Sequence, residues 1–312
     1  MPYSCDMELK PEILELLQKL EEKYNATGQD IQSYLEGLLY TDYVTYWDYI
    51  QTDTLLSLQK PRTQIPDEEI FIMYHQVTEL YFKLVMHELK QIASKENLDA
   101  TYMTSRVTRM NRYFETLTQS FAIMIDGMEV EQFLKFRMAL LPASGFQSAQ
   151  YRMIEILSTD FIHLVGKDFR ANYSQNASVA EMYEKIYWKA GATELATGKK
   201  THTLIQFEQK YSETFIQLGE AYRETNLWRR YQSIADKTEA LTQAMKEFDM
   251  NVNVRWPMVH MKSAARYLRK NPEDIKATGG TNWQKYLSPP IQRRIFYPEL
   301  WTAEELESWG RP

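Results

Sequence analysis

The sequence predicts an all-α protein built as a large helical domain of long packed helices, and three observations carry that prediction. Glycine and proline number only 11 each among 312 residues, too few punctuators for a chain of many tight turns. Apolar residues recur at intervals of three and four, as in Val107, Met110, Phe114, Leu117, Phe121 and Met124, which is the period of a helix face. No stretch alternates apolar and polar residues as a half-buried strand does.

Taken in order, Pro11 opens a first helix to about Tyr24, because proline at the first helical position lacks an N–H that would have no partner there. Asn25 to Asp30 breaks it, a second helix covers Ile31 to Tyr40, and a third runs from about Tyr43 to Leu58. After a proline-bounded loop, Asp67, Glu68 and Glu69 place negative charge where the helix dipole is positive and start a helix to about Ala93. That helix has two apolar faces, Ile70, Met73, Val77, Leu80 and Leu84 on one and Phe71, His75, Thr78 and Phe82 on the other, so burial on both sides is predicted. The seam from Val107 to Met124 reads as a scaffold helix packed lengthwise on a partner.

A shorter helix follows from about Glu129 to Leu141, then a tight loop from Pro142 to Ser148 and a helix to about Val165. Ser178 to Trp188 reads as one helix, and the polar stretch from Gly191 to Thr201 is the candidate for a mobile or inserted loop. From Trp228 to about Lys270 the pattern is continuous except at Pro257, whose missing N–H and ring should kink the helix just before His260. No repeat or linker divides the chain, so one helical domain over residues 1 to 312 is expected.

Charge excludes several classes of function. With 36 basic and 42 acidic residues, a net charge of -6 and no basic tract, the chain lacks the footprint of nucleic-acid or anionic-membrane binding. Asp6, Glu8, Lys10 and Glu12 interrupt any apolar run near the start, so neither a secretory signal nor a spanning helix is read there. Cys5 is alone, which excludes an internal disulfide framework, a thiolate zinc cluster and covalent c-type heme attachment; a reducing, cytoplasmic setting is expected. Aromatic residues, at 13%, exceed what solubility requires and suit either a flat apolar pocket or a large interface.

The five histidines are His75, His87, His163, His202 and His260, and no two stand three or four apart, so the zinc-protease spacing is absent. No repeated Glu-x-x-His set, phosphate-cradling glycine loop or nucleophile elbow occurs. A cofactor held by one histidine, with a second working across from it, is compatible with this inventory, and noncovalent heme needs only one axial imidazole. From the residues alone His87, His163 and His202 are ordinary packed or surface groups; for His87 the neighbours Glu88 and Lys90 look solvated. By the same standard Arg137 could be a surface ion pair, Tyr46 and Tyr49 helix packing, and Thr278 to Thr281 a plain turn.

Four separated stretches together resemble the tryptophan 2,3-dioxygenase family. They are Phe71-Ile72-Met73-Tyr74-His75-Gln76-Val77-Thr78-Glu79-Leu80; Phe136-Arg137 running on to Ser144-Gly145-Phe146-Gln147-Ser148 and Gln150-Tyr151-Arg152; Trp256-Pro257-Met258-Val259-His260; and Thr278-Gly279-Gly280-Thr281. Tyr46-Trp47-Asp48-Tyr49 ahead of Leu55 to Gln59 adds to them, and the likeness runs from about residue 40 to Pro298-Glu299-Leu300-Trp301.

The resemblance implies a heme-dependent dioxygenase that cleaves the indole C2–C3 bond of L-tryptophan with O2 to give N-formylkynurenine, a step of tryptophan catabolism. It implies one heme b per subunit, ferrous when active, with His260 as the iron ligand and Ser144 and Gly145 beside the cofactor. His75 would stand beside the indole N–H with Phe71 and Phe133 in the substrate pocket, Arg137 would clamp the carboxylate, and Thr278 would meet the ammonium or carboxylate. Tyr46 and Tyr49 would reach from the segment 1 to 58 into a neighbouring subunit's pocket, which makes the active unit a homotetramer.

Three departures from the family pattern stand out: Phe133 where a tyrosine is usual, Pro257 where an arginine is usual, and a longer stretch between His260 and Thr278 that includes Asn271-Pro272-Glu273-Asp274. They keep open a heme oxygenase of the same fold that acts on a substituted indole or inserts one oxygen atom. A helical interaction protein without catalysis is the third reading.

Overall fold

The helical period governs the described residues. The computed structural model describes residues 9–40, 44–140, 145–174, 177–193, 199–268 and 288–311. Among them the strand-like pairings are two isolated antiparallel bridges, Val165 with Ile186 and Thr193 with Lys200. The backbone divides into two compact units, Met1–Leu58 and Gln59–Pro312.

In the N-terminal unit α1 (Pro11–Asn25) is followed by α2 (Ile31–Leu39), whose start is capped by Asp30 accepting from the N–H groups of Gln32 and Ser33. Tyr24 stacks on Tyr34 at 4.5 Å between ring centres. The single third helix read from the sequence is instead two short ones, α3 (Tyr46–Tyr49) and α4 (Thr52–Leu55). Gln51 separates them by adopting a left-handed φ of 53°, while its side-chain amide donates to the Asp48 carbonyl at 2.5 Å. None of these four helices buries a residue.

The larger unit is organised around α5 (Asp67–Ser94) and α6 (Ala100–Ser120). Asp99 caps α6 by accepting from the Tyr102 N–H at 2.8 Å. Val107, Met110, Phe114 and Leu117 lie along α6 with 0% exposure and are clasped by α5 on one side and α14 (Glu239–Met250) on the other. Asn111, buried in the same seam, donates to the Ala244 carbonyl of α14 at 3.0 Å. After α6, Phe121 marks a break and the short α7 (Ala122–Asp126) follows. The acidic start of α5 does more than complement a dipole: Glu68 accepts from the N–H groups of Arg62 and Thr63, and Asp67 from that of Glu129, so two loops are pinned to it.

Several sequence expectations are corrected. The face of α5 carrying Met73, Val77, Leu80 and Leu84 is 40 to 47% exposed rather than buried, because its helical partners pack on the face of Phe82, Val85, Leu89 and Ile92. Glu88, read as solvated, is 2% exposed and is held by Arg106, Arg109 and Tyr113 from α6.

The helix after Glu129 is α8 (Val130–Phe136), which tightens into a 3₁₀ turn over Arg137–Leu140. The next, α9 (Ala149–Ser158), ends seven residues early where Thr159 goes extended and its hydroxyl donates to the Phe296 carbonyl at 2.6 Å. The stretch from Ser178 to Trp188 is α10 (Val179–Tyr183) and α11 (Tyr187–Gly191), parted where Ile186 bridges to Val165. The flanks of the polar loop pair through Thr193 and Lys200; residues 194–198 lie outside the described residues.

Beyond α12 (His202–Ala221), which packs on α9, the expected long helix is α13 (Leu227–Ser233), a break, α14, a π-helical turn over Asn251–Arg255, and α15 (Trp256–Leu268). Thr238 caps α14 and enforces the break by accepting from the Leu241 N–H at 3.1 Å. The disturbance expected at Pro257 is the widened turn ahead of it. Two short C-terminal helices, α16 (Pro289–Gln292) and α17 (Ala303–Glu307), flank a segment tied to Asp249 of α14, which accepts from the N–H groups of Phe296 and Tyr297 and from the Trp301 indole. Among the described residues no helix is long and apolar enough to cross a membrane.

Phe114→Ala should lower the unfolding free energy by about 3–5 kcal/mol, the usual result of emptying a closed aromatic site. Chemical denaturation at constant m value checks it; a loss below about 1 kcal/mol would mean that the α6 seam does not organise the unit.

Candidate active site between two histidines

Three elements of the larger unit bring the chemistry together. Helix α5 supplies Phe71, Tyr74 and His75, α8 supplies Phe133 and Phe136, and α15 supplies Trp256, His260 and Tyr267. Phe71 and His75 stand one turn apart with ring centres 4.1 Å from each other, as their i, i+4 spacing dictates. Phe136 meets Phe71 edge-on at 5.6 Å, and Phe133 lies 6.3 Å from Phe71 and 4.3 Å from Tyr267. Tyr74, Phe121 and Trp256 continue the aromatic wall to His260, with Phe121 5.0 Å and Trp256 5.8 Å from its ring.

His75 Nδ1 lies 2.7 Å from the Phe71 carbonyl oxygen. A carbonyl only accepts, so Nδ1 carries the proton and the neutral ring presents Nε2 as an acceptor. Burial lowers the His75 pKa, opposed by the Phe71 carbonyl and by Glu79. Burial also lowers His260, to about 4, and the charge of His75 adds to the effect. Both rings are therefore neutral near pH 7. Each nevertheless keeps part of its surface accessible. The two histidines, with Phe71 and Phe133, are the partly covered members of an aromatic cleft whose remaining wall, Tyr74, Phe121, Phe136, Trp256 and Tyr267, is buried.

Gly145 opens the 3₁₀ turn Gly145–Gln147 across from His260. A Cβ at that position would be in ordinary van der Waals contact with the ring, 3.6 Å from His260 Nε2 and 3.8 Å from Cε1, so Gly145 brings only backbone close to the imidazole edge. Among the described residues no three of His, Cys, Asp and Glu converge, so a metal in this cleft would rest on one imidazole plus donors brought with it.

The other sequence-predicted residues are placed as follows. Arg137 follows Phe136 at the junction of α8 with its 3₁₀ turn, half-buried, and burial lowers its guanidinium pKa without removing the charge. Tyr46 and Tyr49 belong to the N-terminal unit, where they are 74% and 80% exposed. Ser144 and Thr278, and the stretch after Leu268 that contains Asn271 to Asp274, lie outside the described residues. His163 is a hydrogen-bonded packing residue, with Nδ1 2.9 Å from the Thr159 hydroxyl and 3.1 Å from the Phe296 carbonyl.

Sequence reasoning passed over Phe121, Tyr74 and Tyr267. Phe121 belonged to the seam read as scaffold, and its position at the break between α6 and α7 is what turns it toward His260. Tyr74 was legible only as the neighbour of His75. Tyr267 sits seven residues beyond His260 on α15, a helical spacing that could have flagged it.

The sequence also matches known proteins. A family model described as Tryptophan 2,3-dioxygenase matches residues 37–269. The tryptophan 2,3-dioxygenase of Caulobacter vibrioides is 30% identical over 276 residues, covering 83% of this chain and 97% of that protein. That of a Bacillus cereus strain is 29% identical over 287 residues, 86% and 96% of the two chains, and that of Bradyrhizobium diazoefficiens is 28% identical over 280 residues, 84% and 92%. A match over most of the length, on a helical chain that sets His75 and His260 in one aromatic cleft, leads to one conclusion: the chain belongs to the tryptophan 2,3-dioxygenase family.

Proposed function

We infer that this protein is a heme-dependent dioxygenase that opens the indole ring of L-tryptophan, adding both atoms of O2 across C2–C3 to give N-formylkynurenine. The observation that carries the reading is the neutral imidazole of His260, its Nε2 facing a glycine, in an aromatic cleft shared with His75. This donor set fits heme b: one nitrogen lone pair with a glycine rather than a bulkier residue against it, apolar aromatic walls, and no competing cluster of ligands among the described residues.

A ferrous heme bound there supplies the iron centre that makes triplet O2 reactive toward closed-shell indole. The residues of the chain do the rest. His260 would hold the group through Nε2, with Ser144 and Gly145 as its other cofactor-binding residues. Phe71 and Phe133, backed by the buried Phe136, form an apolar wall that receives the indole ring and excludes water. His75, with its Nδ1 proton committed to the Phe71 carbonyl, presents Nε2 to accept the indole N–H and so orients the ring. The Arg137 guanidinium takes the substrate carboxylate in paired charge-assisted bonds, and Thr278 meets the amino-acid end. Tyr46 and Tyr49 complete a neighbouring subunit's pocket in a homotetramer, working in the cytoplasm.

Phe133 favours one variation. It offers a ring where a hydroxyl could have bonded substrate, and it is packed on Tyr267. A substituted indole is tolerated by such a wall, and product analysis distinguishes the cases: ring-opened N-formylkynurenine from L-tryptophan and O2 supports the main reading, and a hydroxylated indole refutes it.

His260→Ala should abolish the Soret band of the reconstituted protein, whereas His75→Ala should keep the band and slow turnover. Equal loss of heme in both would cancel the two assignments. Arg137→Ala should raise KM by an amount equivalent to about 2–4 kcal/mol of lost carboxylate recognition, with a smaller change in kcat. An unchanged KM moves the carboxylate site elsewhere.

A pH dependence follows from His260, whose pKa falls to about 4 from an ordinary 6.5. Between those values the unfolded chain binds a proton that the folded one refuses, so this group lowers stability as pH falls from about 6.5 toward 4. Asp249, raised by burial to about 6 from 3.8, acts in the opposite sense: in that interval the folded state binds more protons. Comparing cofactor-free wild type with His260→Gln isolates the histidine. The variant should lose less stability between pH 7 and pH 5 in denaturant titrations; identical pH slopes would show that burial does not hold the imidazole neutral.

A further inference from the structure

The π-helical turn ahead of His260 contains an unusual hydrogen-bond problem. The Trp256 N–H donates to the Asn251 carbonyl, five residues back instead of four. At the same spacing the next donor would be residue 257 and its acceptor the Val252 carbonyl, but residue 257 is proline and has no N–H. Val252 is 0% exposed, so water cannot serve as the replacement donor.

Two side chains from distant segments supply it. The Tyr151 hydroxyl of α9 donates to the Val252 carbonyl at 2.8 Å, and Arg294 Nη2 donates to the same oxygen at 3.3 Å and to the Tyr151 oxygen at 2.9 Å. Arg294 Nε also bonds the side-chain oxygen of Asn253, inside the turn, and Asn253 donates in its turn to Asp249 at 2.6 Å. Behind them Glu155 holds Arg294 at 2.5 Å and Arg152 at 2.8 Å and accepts from the Tyr187 hydroxyl at 2.6 Å. Arg152, Glu155 and Arg294 are all buried.

A π turn inserts one residue into the helix, which rotates everything downstream by about 100° relative to an unbroken α-helix. His260 lies three residues beyond Pro257, so the width of this turn decides which way its ring points. We propose that Tyr151 and Arg294 are positioning residues for His260: they satisfy the Val252 carbonyl that Pro257 leaves without a helix donor, and thereby hold the wide turn that aims the imidazole at Gly145. The consequence for the cofactor rests on His260 being the iron ligand; the clamp on the turn does not.

The test is a double-mutant cycle between Tyr151→Phe and Pro257→Ala, the second of which returns an N–H to the helix. In the cofactor-free protein, hydrogen exchange across residues 252–260 should quicken on the order of tenfold in Tyr151→Phe, the effect of losing one buried hydrogen bond, and most of that change should vanish in the double variant. Additive effects of the two substitutions overturn the clamp. If Tyr151→Phe does not accumulate as folded protein, a folded double variant supports the clamp and an unfolded one overturns it. In the hemin-loaded ferrous protein, the iron–histidine stretching band should shift in Tyr151→Phe and return in the double variant. A coupled exchange result with an unmoved band overturns the positioning role. If wild type shows no histidine-ligated heme at all, the reading of His260 as ligand fails, while the exchange cycle still decides the clamp.

Discussion

Close packing along α6 is the constraint on which the rest of the larger unit depends. Its four fully buried side chains from Val107 to Leu117 are gripped by α5 and α14, and a helix closed on two sides cannot slide or rotate without opening voids. Helix α5 carries His75, and the chain leaving α14 reaches His260 through the π turn. The separation of the two imidazoles is thus inherited from scaffold packing, which buries Tyr74, Phe121, Phe136, Trp256 and Tyr267 and leaves the two histidines, Phe71 and Phe133 only partly covered.

Buried charge plays a different part. Glu155, Arg152 and Arg294 are desolvated ions whose mutual attraction does little more than offset their removal from water. Their value lies in geometry: the set is satisfied only when α9, the π turn and the C-terminal segment meet in one arrangement. Asp249 works similarly, collecting two backbone N–H groups and an indole from residues 296 to 301. These bonds join segments far apart in the chain, and they surround the turn that leads to His260.

The helical class and the strongest elements were legible because their signals are local and repeated. Helix α5 runs from Asp67 as its acidic start indicates, and α6 follows its three-and-four seam as far as Ser120, with Phe121 at the break and Met124 on α7. Helices α9 and α10 end early at contacts with remote residues, Thr159 with Phe296 and Ile186 with Val165, and no local pattern encodes a partner over a hundred residues away or across an intervening loop; the break after α13 is set instead by the local Thr238 cap of α14. The exposed face of α5 shows the reverse: apolar residues at helical spacing announce a surface suited to burial without saying what, in a single chain, lies against it.

What the sequence determined by itself is the helical class, the inventory of chemistry-bearing residues and the motifs that mark the family, because period, composition and spacing are properties of neighbours along the chain. Tertiary structure alone decided that Phe121 joins the aromatic wall, that the disturbance at Pro257 is a widened turn, and that Tyr151 and Arg294 meet the Val252 carbonyl. It also set the acidity of His260, since the loss of hydration that keeps the ring neutral needs side chains from distant segments, such as Phe121, packed on it beside its own helix neighbour Trp256.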